Sequence, residues 1–153
     1  MTDFQAIADR VEIEALRAEF SDATMMRDYD RLASLFTEDG ALRMPNIPVE
    51  LVGRGQMLAW GRLAPTKWRY FIQTSHPGVI VLEGDTATGR TYIQELIELN
   101  DESGHQNIAI YHDRYARTAD GWKFSERVYE VRYRDDAPLD GEGAIVSVPA
   151  QGV

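Results

Sequence analysis

Over residues 3–27, Phe4, Ile7, Ala8, Val11, Leu16 and Phe20 recur at helical spacing, and no Pro or Gly interrupts them. This pattern predicts one long helix, with Thr2 or Asp3 able to cap its start. A second, short helix is expected from about Tyr29 to Phe36, with Leu32, Leu35 and Phe36 inward and Glu38-Asp39-Gly40 as the turn that ends it. Ala41 to Met44 can form a short strand, and Pro45 and Pro48 bracket the loop after it. Gly53 to Leu63 reads as a third helix with Met57, Leu58, Trp60 and Leu63 apolar, stopped by Pro65.

Beyond Pro65 the pattern changes to one rich in aromatic and β-branched residues. Trp68 to Ser75, Val79 to Leu82, Thr86 to Leu99, Asn107 to Thr118 and Trp122 to Tyr133 are expected strands. Turn signals at Glu83-Gly84-Asp85, Asn100 to Gly104 and Ala119-Asp120-Gly121 separate the longer ones. Long strands joined by short turns make an antiparallel sheet, so helices followed by a meander predict an α+β fold. One domain is expected over 1–134 and a tail over 135–153, where Pro138, Gly141, Gly143, Pro149 and Gly152 fall.

Strand alternation raises one conflict. Trp122 and Phe124 stand at even positions, whereas Arg127, Tyr129 and Val131 are odd, so strict alternation cannot turn both sets inward. Either a bulge near Ser125 reconciles them or Trp122 and Phe124 face outward, against another subunit.

Composition narrows the function classes. With 25 acidic against 16 basic residues the formal charge is −9, and the basic residues are scattered, which argues against nucleic-acid binding. Cysteine is absent, which removes thiolate chemistry and Cys-ligated metals. No apolar run approaches the ~20 residues of a membrane span. The first residues, MTDFQAIADR, lack a basic region followed by an apolar core, so the expectation is a cytoplasmic protein.

His76 has the best context of the three histidines: it follows the aromatic segment YFIQTS and precedes a Pro-Gly break. An imidazole at a strand end can project into a cavity and titrate near neutral pH. The spacing of His76, His105 and His112 matches no metal-binding motif, so neither a metal nor another cofactor is expected.

Several segments carry a family resemblance: RDYDRLASLFTEDG, the GRGQM helix, the His-bearing strand and YHDRYARTADGWKFSER. Their order resembles the SnoaL-like branch of the nuclear transport factor 2-like superfamily, in particular the part that holds scytalone dehydratase and hexachlorocyclohexane dehydrochlorinase. The resemblance runs from about Ile7 to Tyr133. It implies a cone-shaped α+β barrel, a curved antiparallel sheet wrapped around the N-terminal helices with a deep pocket. It also implies cofactor-independent acid-base chemistry, as in a dehydratase, cyclase, isomerase or elimination lyase. The substrate would be a hydrophobic polyketide-like, aromatic or terpenoid molecule. His76 would be the base, Arg127 would help the leaving group, and Tyr111, Tyr129 and Val131 would line the cavity.

The helix aspartate of those enzymes is replaced by Met25, with Asp22 or Asp113 as candidate substitutes. Met25, Met26, Trp60 and Tyr92 would make the pocket apolar. The alternative is a noncatalytic binding or assembly subunit, such as a ring-hydroxylating dioxygenase small-subunit-like protein. A homodimer or homotrimer is expected, associating through an outer sheet face with Ile108 and Ile110.

Overall fold

The computed structural model describes residues 3–143. The helix α1, Phe4–Met25, starts at Asp3, whose carboxylate accepts from Gln5 N at 3.0 Å and Ala6 N at 3.2 Å. It ends in a paired-carbonyl cap: Asp28 N donates to Ala23 O at 2.9 Å and Arg27 N to Thr24 O at 3.2 Å, with Arg27 in the left-handed region at φ 56°. Asp28 then caps α2, Tyr29–Ser34, by accepting from Arg31 N. The two helices therefore meet at a sharp corner.

Two strands, β1 (Phe36–Met44) and β2 (Val49–Val52), form a hairpin, and α3, Arg54–Leu63, leads through a 3₁₀ turn, Ala64–Lys67, into four long strands. These are β3 (Trp68–Glu83), β4 (Thr86–Leu99), β5 (Gly104–Thr118) and β6 (Gly121–Asp135). One six-stranded sheet results, in the order β2-β1-β6-β5-β4-β3. It is antiparallel except where β1 lies parallel to β6. The sheet curves around α1 and leaves the two outer strands unjoined, so the fold is the expected helix-filled α+β cone with its sheet unclosed.

Several boundaries differ from the sequence expectation. Glu38-Asp39-Gly40 does not end a helix; it lies inside β1, at the slip in pairing between Phe36 and Ala41. β2 was not expected, because four residues after a Pro-bracketed loop carry too little pattern. The Pro77-Gly78 break does not divide two strands but forms a bulge inside β3, between the pairs His76–Tyr92 and Val79–Arg90. Gly78 lies so close to the Arg90 carbonyl that a side chain there would collide with backbone.

The parity conflict on β6 is resolved by a bulge at Ser125: Arg114 pairs with Glu126 and Tyr115 with Phe124. Trp122, Phe124, Arg127 and Tyr129 are all buried in consequence, which removes the outward alternative for Trp122. The front half of α1 departs from its pattern as well: Phe4, Ile7 and Val11 are exposed, while Asp9 and Arg17 are buried. Each of those buried charges has partners. Asp9 accepts from Arg117 at 2.7 and 2.8 Å and from Trp122 Nε1 at 3.0 Å, and the guanidinium holds its carboxyl far below the usual range.

A second buried network crosses the middle of the cone. Arg127 donates to Asp113 at 2.7 and 3.0 Å, and Thr91 and Tyr115 donate to the same carboxylate at 2.9 and 2.7 Å. Arg17 of α1 donates to the Tyr115 hydroxyl at 2.8 Å and to Val79 O at 2.9 Å. The Arg127 guanidinium sits 3.8–4.5 Å from the ring centroids of Tyr111, Phe124 and Phe20. Helix and all four long strands are thus tied through one ion pair.

Replacing Arg127 by Met should strand the Asp113 charge and cost about 3–5 kcal/mol in urea unfolding. The Arg127→Met, Asp113→Leu double variant should recover part of that loss. A double variant as unstable as the sum of the single changes would contradict the account.

Candidate functional site

Above this network the cone is hollow. A cavity of about 360 Å³ opens between α1, α3, the 3₁₀ turn and the concave face of the sheet. That volume falls at the lower end of small-ligand sites, on the order of 300–1,000 Å³. Its front wall is aromatic: Trp68 stacks on Phe71 at 4.7 Å between centroids, and Trp60 meets Trp68 edge-on at 5.8 Å. Leu42, Met44, Ile97 and Val131 add apolar surface.

The floor carries a polar cluster. Odd positions of β4 and β5 face inward, so Glu95, Asn107 and Tyr111 point to one place, with Gln73 from β3 and Tyr129 from β6 beside them. The Tyr129 hydroxyl donates to Glu95 Oε2 at 2.5 Å and Asn107 Nδ2 to the same oxygen at 3.3 Å. Gln73 Nε2 donates to Glu95 Oε1 at 2.7 Å, while Ser21 of α1 donates to Gln73 Oε1 at 2.6 Å. Burial is the largest influence on Glu95 and raises its pKa; the three donors oppose it without overcoming it. Burial, then the neighbouring Glu95, also pushes Tyr111 and Tyr129 well above the ordinary tyrosine value, so both hydroxyls keep their protons at neutral pH.

Two hydrogen-bonding functions in the cavity are unused. Asn107 Oδ1 is buried without a partner among the described residues, although an unmet buried acceptor costs about 1–3 kcal/mol. Tyr111 OH receives only a long contact of 3.5 Å from Gln73, and no acceptor among the described residues takes its proton. Together they present an acceptor and a donor to whatever enters.

Among the expected site residues, Trp60, Tyr111, Tyr129 and Val131 line this cavity. His76 does not. On the first half of β3 the odd positions, Phe71 and Gln73, face in, so His76 is exposed on the outer face, 3.4 Å from Thr74 Oγ1. The Pro77-Gly78 bulge changes parity only after it, too late to turn the ring inward. Tyr92 is exposed for the same reason, at an even position on a strand whose odd positions face in.

Asp22 points away from the buried stripe of α1 and pairs with Arg31, and Met25, the last residue of the helix, is half-buried outside the cavity lining. Asp113 and Arg127 are buried beneath the floor and spent on each other, with Tyr111 between Arg127 and the hollow. The base expected from the sequence therefore lies outside the pocket, as do its candidate carboxylate partners.

The histidine that does line the cavity is His105, which burial, then the charge of Arg134, holds below the usual histidine pKa. Glu95, Gln73 and Asn107 were missed by the sequence reading. The available signal was the inward parity that Glu95 shares with Ile93 and Ile97, an acid between two core positions. No group of three or more His, Asp or Glu among the described residues could hold a metal ion. No helix of the described residues is long and apolar enough to cross a membrane.

The raised pKa of Glu95 makes folding depend on pH. The folded state keeps a proton that the unfolded chain loses near the ordinary value of 4.5, so stability falls as pH rises from there through the raised folded value. In thermal melts, Glu95→Gln should gain on the wild type over that window and level off above it. Melting curves that shift in parallel from pH 4.5 to neutrality would show that Glu95 is not perturbed.

The sequence matches the model of the SnoaL-like domain over residues 5–128. No curated protein matches it. Among solved structures, the hexachlorocyclohexane dehydrochlorinase LinA-type3 of Novosphingobium barchaimii LL02 superposes with a TM-score of 0.81 at 22% identity, covering 95% of this chain and 99% of that one. A provisionally assigned scytalone dehydratase from Novosphingobium aromaticivorans gives 0.78 at 22% identity, covering 95% of this chain and 97% of that one. A Mycobacterium tuberculosis protein of unknown function gives 0.73 at 20%, covering 83% and 73%. At these identities the likeness shows the fold alone.

Proposed function

The chain belongs to the SnoaL-like domain family, and from that premise we propose an enzyme that moves a proton on an apolar small molecule without a cofactor. Glu95 is the group that takes the proton and returns it. The observation that carries this reading is a buried carboxyl of raised pKa in the floor of an apolar cavity, held in one orientation by three donors.

The unused groups suggest what the substrate offers. Tyr111 can donate to a carbonyl oxygen, and Asn107 Oδ1 can accept from a hydroxyl, which fits a cyclic or aromatic hydroxy ketone. With the carbonyl on Tyr111, the Glu95 carboxylate removes a proton from the adjacent carbon, and the C–H electrons pass into the enolate. The enolate then expels a β-hydroxyl, and the Glu95 carboxyl returns its proton to the departing oxygen, so that water leaves and a C–C double bond remains. If the proton goes back to another carbon instead, the outcome is isomerisation. A raised carboxyl pKa suits both halves of this exchange, because the group must be a base and then an acid near neutral pH.

A second reading, a noncatalytic binding member of the same fold, is favoured by two observations. Glu95 already has three internal donors, and the expected His–carboxylate pair does not meet inside the cavity. The two readings separate on deuterium uptake from heavy water at the carbon next to the carbonyl of a bound bicyclic β-hydroxy ketone, followed by NMR. Wild type should exchange or dehydrate the ketone, and Glu95→Gln should slow this by about 10²-fold or more without loss of binding. His76→Ala should stay within about twofold of wild type, as expected for an exposed side chain that touches no part of the site. Exchange unaffected by Glu95→Gln would sink the base assignment, and binding without exchange in the wild type would favour the noncatalytic reading.

A further inference from the structure

The charges around the cavity are arranged against the charge of the chain as a whole. The protein carries a formal −9, yet Glu95 is the sole carboxylate among the described residues that line the cavity, and it lies at the floor. At the opening, where the 3₁₀ turn, the end of β4, the start of β5 and the end of β6 meet, stand Lys67, His105 and Arg134. Lys67 is exposed and stands in no ion pair among the described residues. Arg134 gives its Nε to Asp136 at 2.7 Å and keeps its remaining nitrogens. His105 follows the same inward alternation as Asn107, two residues deeper, which sets rim and floor roughly 7 Å apart along the strand.

We propose that the substrate carries an anionic group, such as a carboxylate or sulfonate, at the end remote from its reacting carbon, and that Lys67 and Arg134 hold it at the cavity mouth. The proposal rests on the cavity being the substrate site and names the class of molecule that fits it: an apolar ring system with one acidic end. Three features of the site require that polarity. An anion at the floor would face the Glu95 carboxyl, which already takes the Tyr129 hydroxyl, and the single free proton of Tyr111 would be the one donor set against its desolvation. The aromatic wall of Trp60, Trp68 and Phe71 accepts only the apolar body. Among the described lining residues the cations stand at the rim, which leaves the acidic end in contact with water, where an ion is cheapest to keep. His105, held largely neutral, adds a hydrogen-bond donor rather than a charge.

Two fluorescent probes with the same apolar frame test this: anilinonaphthalene sulfonate, which carries an anion, and its uncharged parent phenylnaphthylamine. Both should bind the wild type and displace each other, and sulfonate binding alone should weaken as salt is raised. In the Lys67→Glu, Arg134→Glu double variant the sulfonate should lose about tenfold in affinity, while phenylnaphthylamine changes by less than about twofold. Equal losses for the two probes, or no loss for either, would overturn the anion site and leave the Glu95 reading standing. In Glu95→Gln the preference for the sulfonate should persist even where exchange chemistry is lost, which keeps the two failures distinguishable. If neither probe binds, or if the probes do not compete, the cavity is not the ligand site and both readings fall.

Discussion

One ion pair sealed from water holds the cone in shape. Asp113 and Arg127 face each other across β5 and β6, and each is almost wholly inaccessible. Such a pair is tolerable where the carboxylate's other hydrogen-bonding capacity is met, and Thr91 and Tyr115 donate to Asp113 here, with Arg17 of α1 in turn donating to Tyr115. Aromatic rings of Phe20, Tyr111 and Phe124 close over the guanidinium. The position of α1 over the sheet and the Ser125 bulge that turns β6 are both tied to that contact.

One end of the cone is hollow and the other is full. Below Tyr111, charged and aromatic groups fill the space between helix and sheet; above it lies the cavity, lined on the helix side by Phe20 and Thr24. Polar groups on this upper level have a different character from those below. The lower network is closed, every carboxylate oxygen of Asp113 having a donor, whereas the upper one leaves an acceptor on Asn107 and a proton on Tyr111 free. A closed network stabilises, and an open one in a cavity invites a ligand.

Burial links this architecture to chemistry. Glu95 titrates high because the sheet and helix exclude water from its carboxyl, and its donors fix the orientation without restoring the solvation that burial removed. The same dry walls make an anion acceptable only at the rim, where Lys67 and Arg134 stand in water. A gradient from acid at the floor to base at the mouth follows from where the strands begin and end.

Much of the architecture could be read from the residues. The uninterrupted run of α1 and the aromatic and β-branched strands with their Gly-Asp and Asp-Gly turns are local signals that the structure follows, and of the two outcomes the parity clash on β6 left open it takes the bulge at Ser125. The family resemblance rested on the same signals and is met by the domain match. The lining of the cavity was legible only in part: of the expected site residues Trp60, Tyr111, Tyr129 and Val131 line it, while His76, Asp22 and Tyr92 lie on exposed faces. The direction of a strand side chain reverses with every residue, so a bulge placed one position early or late decides whether an imidazole meets a cavity or water. Sequence determined which segments become helix and strand, because periodicity and turn chemistry act over a few residues. Which carboxylate lies in the hollow was decided by tertiary structure alone, since that depends on register across four strands and on the helix that closes over them.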